Sequence, residues 1–291
     1  MANSKLKINF EGVELKHNNQ PQYLGVTLDR SLTFKSHLQK TAAKVRTRAN
    51  IVQHLAGSTW GANAQVLRTT ALSLVYSAAE YCAPVWMNSV HVREVDVQLN
   101  RVMRAISGTL TATPLPWLPV LSNIAPPETR RKEALLREYT KIVSAPQLPI
   151  NDYLLQERSR LKSRKPPLRT ASQLRDTDFS PQADWKTSWD SFHGRNSFLI
   201  SDPCSAVVGM DLPRRQWALL NRFRTGVGRC KYWKFKWGMT PDQSCDCGAE
   251  IQTMDHIVNE CPLSAFSEGL VSLHSANEAG IQWLTALDLA L

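Results

Sequence analysis

The stretch that decides the fold is TFKSHLQKTAAKVRTRANIVQHLAG, residues 33–57. Its apolar residues recur at steps of three and four, which is the period of an amphipathic helix. They are Leu38, Ala42, Val45, Ala49, Val52 and Ala56. Thr33 suits the N-cap position, and Gly57 stands where many helices end in a left-handed residue. The stretch therefore predicts a helix from Thr33 to Ala56.

Similar patterns predict four further helices. A nearly apolar stretch from Ala62 to about Tyr81 predicts a buried helix that Pro84 closes. A third helix is predicted over Ser89–Ser107 and ends at Gly108. A fourth begins at Pro126-Pro127-Glu128 and reaches about Val143. A fifth is predicted from Asp211, as N-cap, to about Thr225.

The N-terminal residues predict strands instead. Apolar and polar residues alternate on both sides of Glu11-Gly12, which indicates a β-hairpin. The run YLGVTL, residues 23–28, predicts one more short strand. Three short strands do not make a domain, so they are expected to form the margin of a larger sheet.

Residues 144–212 show no helical or strand period and carry a Pro-Pro break, so they predict a linker or a weakly folded connector. The expected fold is mainly α, with a small antiparallel β margin, a helical bundle and a small C-terminal helical metal-binding module. The expected divisions are edge strands over 1–30, a helical domain over 31–145, a connector over 146–210 and a terminal module over 211–291.

Charge is unevenly distributed along the chain. The net charge is +10, yet Lys236 is the last basic residue, and all later charged residues are acidic. Such a basic excess favours a polyanionic partner, with nucleic acid ahead of a membrane surface because no amphipathic anchor stands out. A basic surface that serves only solubility is the alternative.

On the first predicted helix, Lys40, Lys44 and Arg48 recur every four residues and therefore share one face. No acidic residue occurs between Arg30 and Glu80. Surface helices that serve only solubility usually mix both signs of charge, so this face is predicted to contact phosphates.

Basic and aromatic residues interleave between Arg214 and Trp237, a combination suited to phosphate contact and base stacking. Some of the rings are expected to be core residues beneath a basic surface. The residues predicted to bind nucleic acid here are Arg214, Arg215, Arg222, Arg224, Arg229, Lys231, Trp233, Lys234 and Lys236.

The stretch SCDCGAEIQTMDHIVNECPL, residues 244–263, offers four soft ligands in Cys245, Cys247, His256 and Cys261. Zn²⁺ takes four such groups in closed structural sites, whereas catalytic zinc needs an open position. The Cys-x-Cys spacing is tighter than the usual Cys-x2-Cys, so a chance group of core thiols is the alternative. Structural zinc is the prediction, and no catalytic residues are assigned.

Three signatures occur in order, YLGVTLDRSLTFKSHL at 23–38, YSAAEYCAPVWMNS at 76–89, and LNRFRTGVGRCKYWKFKWGM with CDCGAEIQTMDHIVNECP at 220–239 and 245–262. Together they resemble the C-terminal part of the reverse transcriptase of non-LTR (LINE-type, jockey-like) retrotransposons. The resemblance implies the end of the palm, the helical thumb and a terminal Cys/His motif. It implies RNA or an RNA–DNA duplex as partner, with target DNA and the upstream polymerase region as further partners.

The chain departs from that family in one respect that matters for chemistry. It contains no Asp-Asp pair, whereas polymerases hold two metal ions on such carboxylates. The chain is thus expected to be a nucleic-acid-binding fragment that is inactive alone. The alternative is a helical module that docks a separate polymerase half or another protein. Residues 1–16 lack the pattern of a signal peptide, which predicts an intracellular protein, nuclear or cytoplasmic, that does not bind membranes.

Overall fold

Helices dominate the structure, a computed structural model that describes residues 7–57, 60–154 and 166–289. It is 56% helical, with small antiparallel strand pairs at the N-terminus, so the predicted mainly α fold is confirmed.

Two hairpins open the described chain. β1 (Asn9–Phe10) pairs with β2 (Val13–Glu14), as the alternating pattern predicts. β3 (Gln22–Tyr23) pairs with β4 (Val26–Thr27), so the single strand expected over residues 23–28 is wrong. A turn at Leu24 and Gly25, both with positive φ of 46° and 80°, divides that stretch. Glycine adopts this conformation without strain, and such two-residue turns match the twist of antiparallel strands.

Two long helices, α1 (Lys35–Leu55) and α5 (Arg93–Ser107), pack against each other at the centre of the helical part. The predicted apolar stripes face inward on both, with side chains such as Val45 and Leu99 fully or almost fully buried. Gly108 ends α5 in the left-handed conformation, as expected. At the start of α1 the N-cap is Phe34 rather than Thr33, although Thr33 Oγ1 accepts a 3.3 Å hydrogen bond from the Lys35 N–H.

The helix predicted after residue 62 is observed with an irregularity. α2 (Ala64–Thr70) continues through a π-helical segment, Ala71–Tyr76, into α3 (Ser77–Ala79). The short α4 (Ala83–Trp86) and a 3₁₀ turn, Val90–Val92, then lead into α5.

α6 (Trp117–Ser122) and α7 (Pro127–Val143) complete the bundle. Two arginines of α7 fix it to the end of α3 and to α5 by bidentate ion pairs, Arg130 with Glu80 and Arg131 with Asp96. Such planar pairs set geometry as well as adding energy, so α7 has a defined position on the bundle.

The described residues between 144 and 212, which are 144–154 and 166–212, are more ordered than their lack of period suggests. This region holds α8 (Pro167–Asp176), α9 (Pro181–Asp190) and 3₁₀ turns at Pro149–Tyr153 and Ser197–Leu199. Trp185 and Trp189 of α9 are buried, and the Trp189 ring meets Trp117 edge-on at 5.1 Å. Trp185 and Trp189 are four residues apart and share one face of α9, but two positions in an otherwise polar stretch do not establish a helical period in the sequence. The division of the chain at residues 30, 145 and 210 stays a prediction.

The C-terminal part consists of α10 (Arg214–Thr225), α11 (Lys231–Lys236), a π-helical turn at His256–Glu260, α12 (Gly269–His274) and α13 (Glu278–Ala286). Pro213, not Asp211, precedes the first helical residue of α10. Every residue of α10 except Arg215 and Gln216 is buried. One hydrophobic cluster runs from Leu38 to Leu289, so α10 shares a core with the bundle.

Candidate metal centre and its cationic surroundings

The four predicted metal ligands meet at one point. Their ligand atoms all lie within 4.8 Å of one another. Cys245 Sγ is 3.7 Å from Cys261 Sγ, and Cys247 Sγ is 3.3 Å from His256 Nε2. Cys245, His256 and Cys261 are buried, and Cys247 is half-buried. Two neighbouring segments of the chain, residues 245–247 and 256–261, therefore present all four groups to a shared centre.

Two local structures bring these groups together. A tight turn closes between Cys245 and Ala249, where the Cys245 N–H donates to Ala249 O at 2.8 Å and Gly248 has a φ of 95°. The other structure is the π-helical turn, closed by the Cys261 N–H bonding to His256 O at 2.8 Å. In an α-helix, residues five apart point roughly 140° away from each other. The wider π turn reduces that angle and allows His256 and Cys261 to face the same centre.

The donor set fits zinc. Tetrahedral Zn²⁺ with bonds of about 2.3 Å to sulfur and about 2.0 Å to nitrogen implies S···S separations of about 3.8 Å and S···N separations of about 3.5 Å. The observed 3.7 Å and 3.3 Å are close to both values. Burial raises the pKa of the Cys245 thiol, but hydrogen bonds from the Cys247 N–H and the Gln252 side-chain amide outweigh it and lower that pKa to about 6. A low pKa favours the thiolate, which is the ligating form.

Gln252 links this centre to α11, a role that no sequence pattern indicates. Its side-chain amide donates to Cys245 Sγ at 3.5 Å, and its side-chain carbonyl accepts from the Lys231 N–H at 3.0 Å. Its backbone carbonyl accepts from the Tyr232 N–H at 3.1 Å. Lys231 Nζ also pairs with Asp246, between the two cysteines, at 2.6 Å. The position of α11 therefore depends on the Cys/His cluster.

α11 carries the aromatic and basic residues that the sequence singled out. Trp233 is half-buried and donates from Nε1 to Gly226 O at 2.9 Å, and it stacks on Trp237 with ring centroids 5.7 Å apart. Lys236 is exposed, with Nζ 5.7 Å from the Tyr232 ring centroid, and Lys234 is half-buried. Arg229, just before α11, is also half-buried. The Trp233 ring thus anchors α11 at Gly226. Lys234 and Lys236 reach solvent.

The cations of α1 lie on a separate surface. Lys40 and Lys44 are exposed, and Lys40 Nζ donates to Thr27 Oγ1 at 3.4 Å. Arg48 is half-buried and donates to Leu74 O at 2.7 Å, which holds it against the neighbouring helix. Lys40 and Lys44 remain available to solvent along one face.

The arginines of α10 require a correction to the expectation that all of them present a basic surface. Arg214, Arg222 and Arg224 are buried, with Arg224 fully so. Arg214 donates to the carbonyls of Gly57, Ala105 and Ile106, and Arg222 donates from Nε to Gly108 O at 3.3 Å. Arg215 is half-buried and donates to Leu287 O at 2.8 Å. These buried guanidinium groups therefore hold packed segments together by donating to backbone carbonyls. Burying them without such acceptors would be costly.

α10 as a whole caps the C-terminal end of α5. The carbonyls of Ala105 and Ile106 accept from Arg214, and Ile106 O also accepts from Trp217 Nε1 at 2.9 Å. Ser107 O accepts from Asn221 Nδ2 at 2.8 Å, and Gly108 O accepts from Arg222. Helix ends leave carbonyls without partners within the helix, and here a second helix supplies the donors. No local sequence signal predicts this, because the two helices are more than one hundred residues apart.

Within residues 7–57, 60–154 and 166–289, no helix combines the length and the apolar character that crossing a membrane requires.

Two curated relatives are similar to the chain. A probable RNA-directed DNA polymerase from transposon BS of Drosophila melanogaster is 33% identical over 112 residues, which are 34% of this chain and 11% of the relative. A retrovirus-related Pol polyprotein from the type-1 retrotransposable element R1 of Bradysia coprophila is 23% identical over 273 residues, which are 90% of this chain and 26% of the relative. No protein-family model and no solved structure matches the chain.

These relatives confirm the resemblance inferred from the three ordered signatures, because both are retrotransposon polymerases or polyproteins and R1 is a non-LTR element. The chain spans about a quarter of the R1 relative and about a tenth of the transposon BS relative. The RNA-directed DNA polymerase from transposon BS is thus a much longer protein than this chain, and its activity is named for that longer protein.

Proposed function

We propose that this chain, related to the polymerases of non-LTR retrotransposons, is a nucleic-acid-binding segment of such a polymerase. Its partner would be RNA or an RNA–DNA duplex, with target DNA as a further partner. The segment corresponds to the thumb and terminal Cys/His region that the resemblance implies. Its role is to hold the polynucleotide, since it has no Asp-Asp pair to bind the metal ions of phosphodiester synthesis.

The observation that carries this proposal is the attachment of α11 to the Cys/His cluster. Lys234 and Lys236 reach solvent there beside Phe235 and Trp237, which are 42% and 37% exposed. Cations beside accessible rings suit a single strand, because phosphates attract the cations and any base can stack on a ring. Lys40 and Lys44 on α1 add a second cationic face that suits the phosphates of a duplex.

Zinc is proposed as a structural ion in this arrangement. Cys245, Cys247, His256 and Cys261 would hold it, and a bound ion would supply folding energy of the order of 10 kcal/mol to a region with short helices. Gln252 then orients the Cys245 ligand and fixes the start of α11, as residues around a ligand shell commonly do. The proposed function needs no chemistry at the ion.

Salt dependence tests the proposal. The full chain, purified with zinc, is titrated against a fluorescent single-stranded RNA and an RNA–DNA duplex at several salt concentrations. A variant with Lys40, Lys44, Lys234 and Lys236 all changed to Gln is compared with a matched variant that removes four charges at exposed positions elsewhere, Lys16, Arg93, Arg169 and Lys186, all changed to Gln. Each phosphate contact contributes about 0.7 to 0.9 to the slope of log K against log salt.

The fourfold variant should therefore lose a slope of about 3 and bind at least tenfold more weakly at low salt. The matched variant should behave like the wild type. Equal slopes and affinities for all three proteins would overturn the proposal.

Docking of a protein partner is the second candidate, and the N-terminal hairpins favour it. Phe10, Val13, Tyr23 and Leu24 are between 64% and 73% exposed, which is unusual for large apolar side chains on adjacent turns. The expected partner is the upstream polymerase region. Binding of that region with little salt dependence, together with no binding of RNA or duplex in dilute buffer, would favour this candidate over the first.

A further inference from the structure

A cleft between α5 and α10 is lined by four arginines, Arg101, Arg104, Arg214 and Arg222. It encloses about 400 Å³, and the described residues of its lining include no Asp or Glu. Four like charges around a space of this size repel one another unless an anion or a carboxylate lies among them. The positive charges of these four arginines therefore need a compensating anion.

Arg214 and Arg222 form the fixed side of the cleft. Their guanidinium groups are held by the carbonyls at the end of α5, as described above. Burial lowers the pKa of Arg214 to about 10. Burial, and then repulsion by Arg229 and Arg214, lowers the pKa of Arg222 to about 10. Arg214 and Arg222 are therefore still charged at neutral pH, although their burial disfavours the charged form.

Arg101 and Arg104 form the other side, one turn apart on α5. Arg104 donates from Nη2 to Thr111 O at 3.4 Å, while its Nε is buried without a hydrogen-bond partner in the described structure. Burial lowers the pKa of Arg104. Arg101 is exposed, and neither residue forms an ion pair within the described ranges. Within the described ranges, no carboxylate therefore compensates the charge of either Arg101 or Arg104, and an oxyanion in the cleft would do so.

The position at the C-terminal end of α5 does not prevent anion binding. A helix C-terminus carries about half a negative charge, which would repel an anion. Here the carbonyls of residues 105 to 108 already accept hydrogen bonds from α10, so they do not face the cleft unsatisfied. Four guanidinium charges outweigh the remaining partial charge.

We propose that this cleft is an oxyanion site that binds a phosphate group. Guanidinium groups present several N–H donors in a planar arrangement that matches phosphate oxygens. The phosphate comes from a polynucleotide backbone or from a free phosphate ion. Only the polynucleotide source rests on the proposed function.

The test uses Arg101→Gln with Arg104→Gln, because these two arginines do not cap α5. The single variant Arg101→Glu is added, since Arg101 is exposed and its replacement is expected to leave the fold intact. Arg93→Gln, at an exposed position on the first turn of α5, is the matched control. Thermal unfolding is measured with and without millimolar inorganic phosphate, and RNA affinity is measured across salt concentrations.

Phosphate should raise the midpoint of unfolding of the wild type and of Arg93→Gln by a few degrees. It should leave the midpoints of the double variant and of Arg101→Glu unchanged. RNA affinity should fall at least fivefold in both cleft variants, with a slope smaller by about 1 to 2.

Two outcomes separate this inference from the proposed function. If RNA binds the wild type and both cleft variants equally, and phosphate stabilises all of them alike, the cleft is not an oxyanion site although the proposed function survives. If no protein binds RNA but phosphate stabilises the wild type and not the cleft variants, the oxyanion site is supported with a free anion as its ligand, and the proposed function fails.

Discussion

Arg224 is a fully buried cation that neutral acceptors satisfy. It donates to Asn221 Oδ1, Val208 O, His274 O and His274 Nδ1, at distances between 2.8 and 3.0 Å. The last contact requires Nδ1 of His274 to be an acceptor, so this ring must be neutral. Burial, followed by the charge of Arg224, lowers the pKa of His274 to about 4. The pair therefore makes the fold sensitive to acid.

The stability of the chain should fall as pH is lowered from about 6.5 towards about 4. In that interval His274 takes up a proton in the unfolded chain but not in the folded one, so protons favour unfolding. Above about 6.5 the effect is absent, and below about 4 it is complete. The expected loss in the free energy of unfolding is about 2 kcal/mol. It is smaller than the full pKa shift implies, because the His274 ring is partly exposed to solvent. Urea unfolding at a series of pH values measures it.

His274→Asn keeps an acceptor for Arg224 without a titrating group, so the difference between this variant and the wild type isolates His274. His193→Asn, at an exposed position, should retain the wild-type pH dependence. The same pH dependence in His274→Asn would show that this ring does not cause the acid sensitivity.

At the scale of elements, the contact between α10 and α5 decides how the C-terminal part joins the bundle. Asn221 is fully buried and bonds both Ser107 O and Arg224 Nη1. Asn221→Leu keeps the volume but leaves a carbonyl and a guanidinium N–H without partners. It should lower the free energy of unfolding by about 2 to 4 kcal/mol.

The matched change is Asn50→Leu on the exposed side of α1, expected to shift the same free energy by less than about 0.5 kcal/mol. Urea unfolding at neutral pH with zinc present compares the two variants. Similar stabilities for them would mean that side-chain capping of α5 by α10 contributes little.

Most helices could be predicted from the sequence because their signals are local. The stripe from Leu38 to Val52 and the left-handed Gly108 depend on residues within one or two turns of each other. The part played by Arg214 could not be predicted, because its acceptors lie at residues 57, 105 and 106. The same sequence of basic residues would suit an exposed face if α10 lay at the surface.

At the scale of the whole molecule, the Cys/His cluster is expected to control the order of the C-terminal part. Cys247→Ser should reduce bound zinc from about one ion per chain to a small fraction, because serine replaces a thiolate ligand. Amide exchange in α11 should become faster as the Gln252 link loosens. Metal analysis and hydrogen exchange measure these two effects.

Cys204→Ser removes a half-buried cysteine far from the cluster in sequence and is the matched control for metal content. It should keep its zinc and the wild-type exchange pattern. Unchanged zinc content in Cys247→Ser would contradict the ligand assignment.

The sequence by itself determined the approximate positions of α1, α5, α7 and α10, the first hairpin, the four soft ligands and the resemblance to retrotransposon polymerases. Each of these depends on the kind and spacing of residues that are near one another in the chain. Tertiary structure alone decided which arginines are buried, that Trp185 and Trp189 of α9 are buried, and that four arginines line one cleft. Burial and convergence depend on contacts between distant segments, and a local pattern carries no information about those contacts.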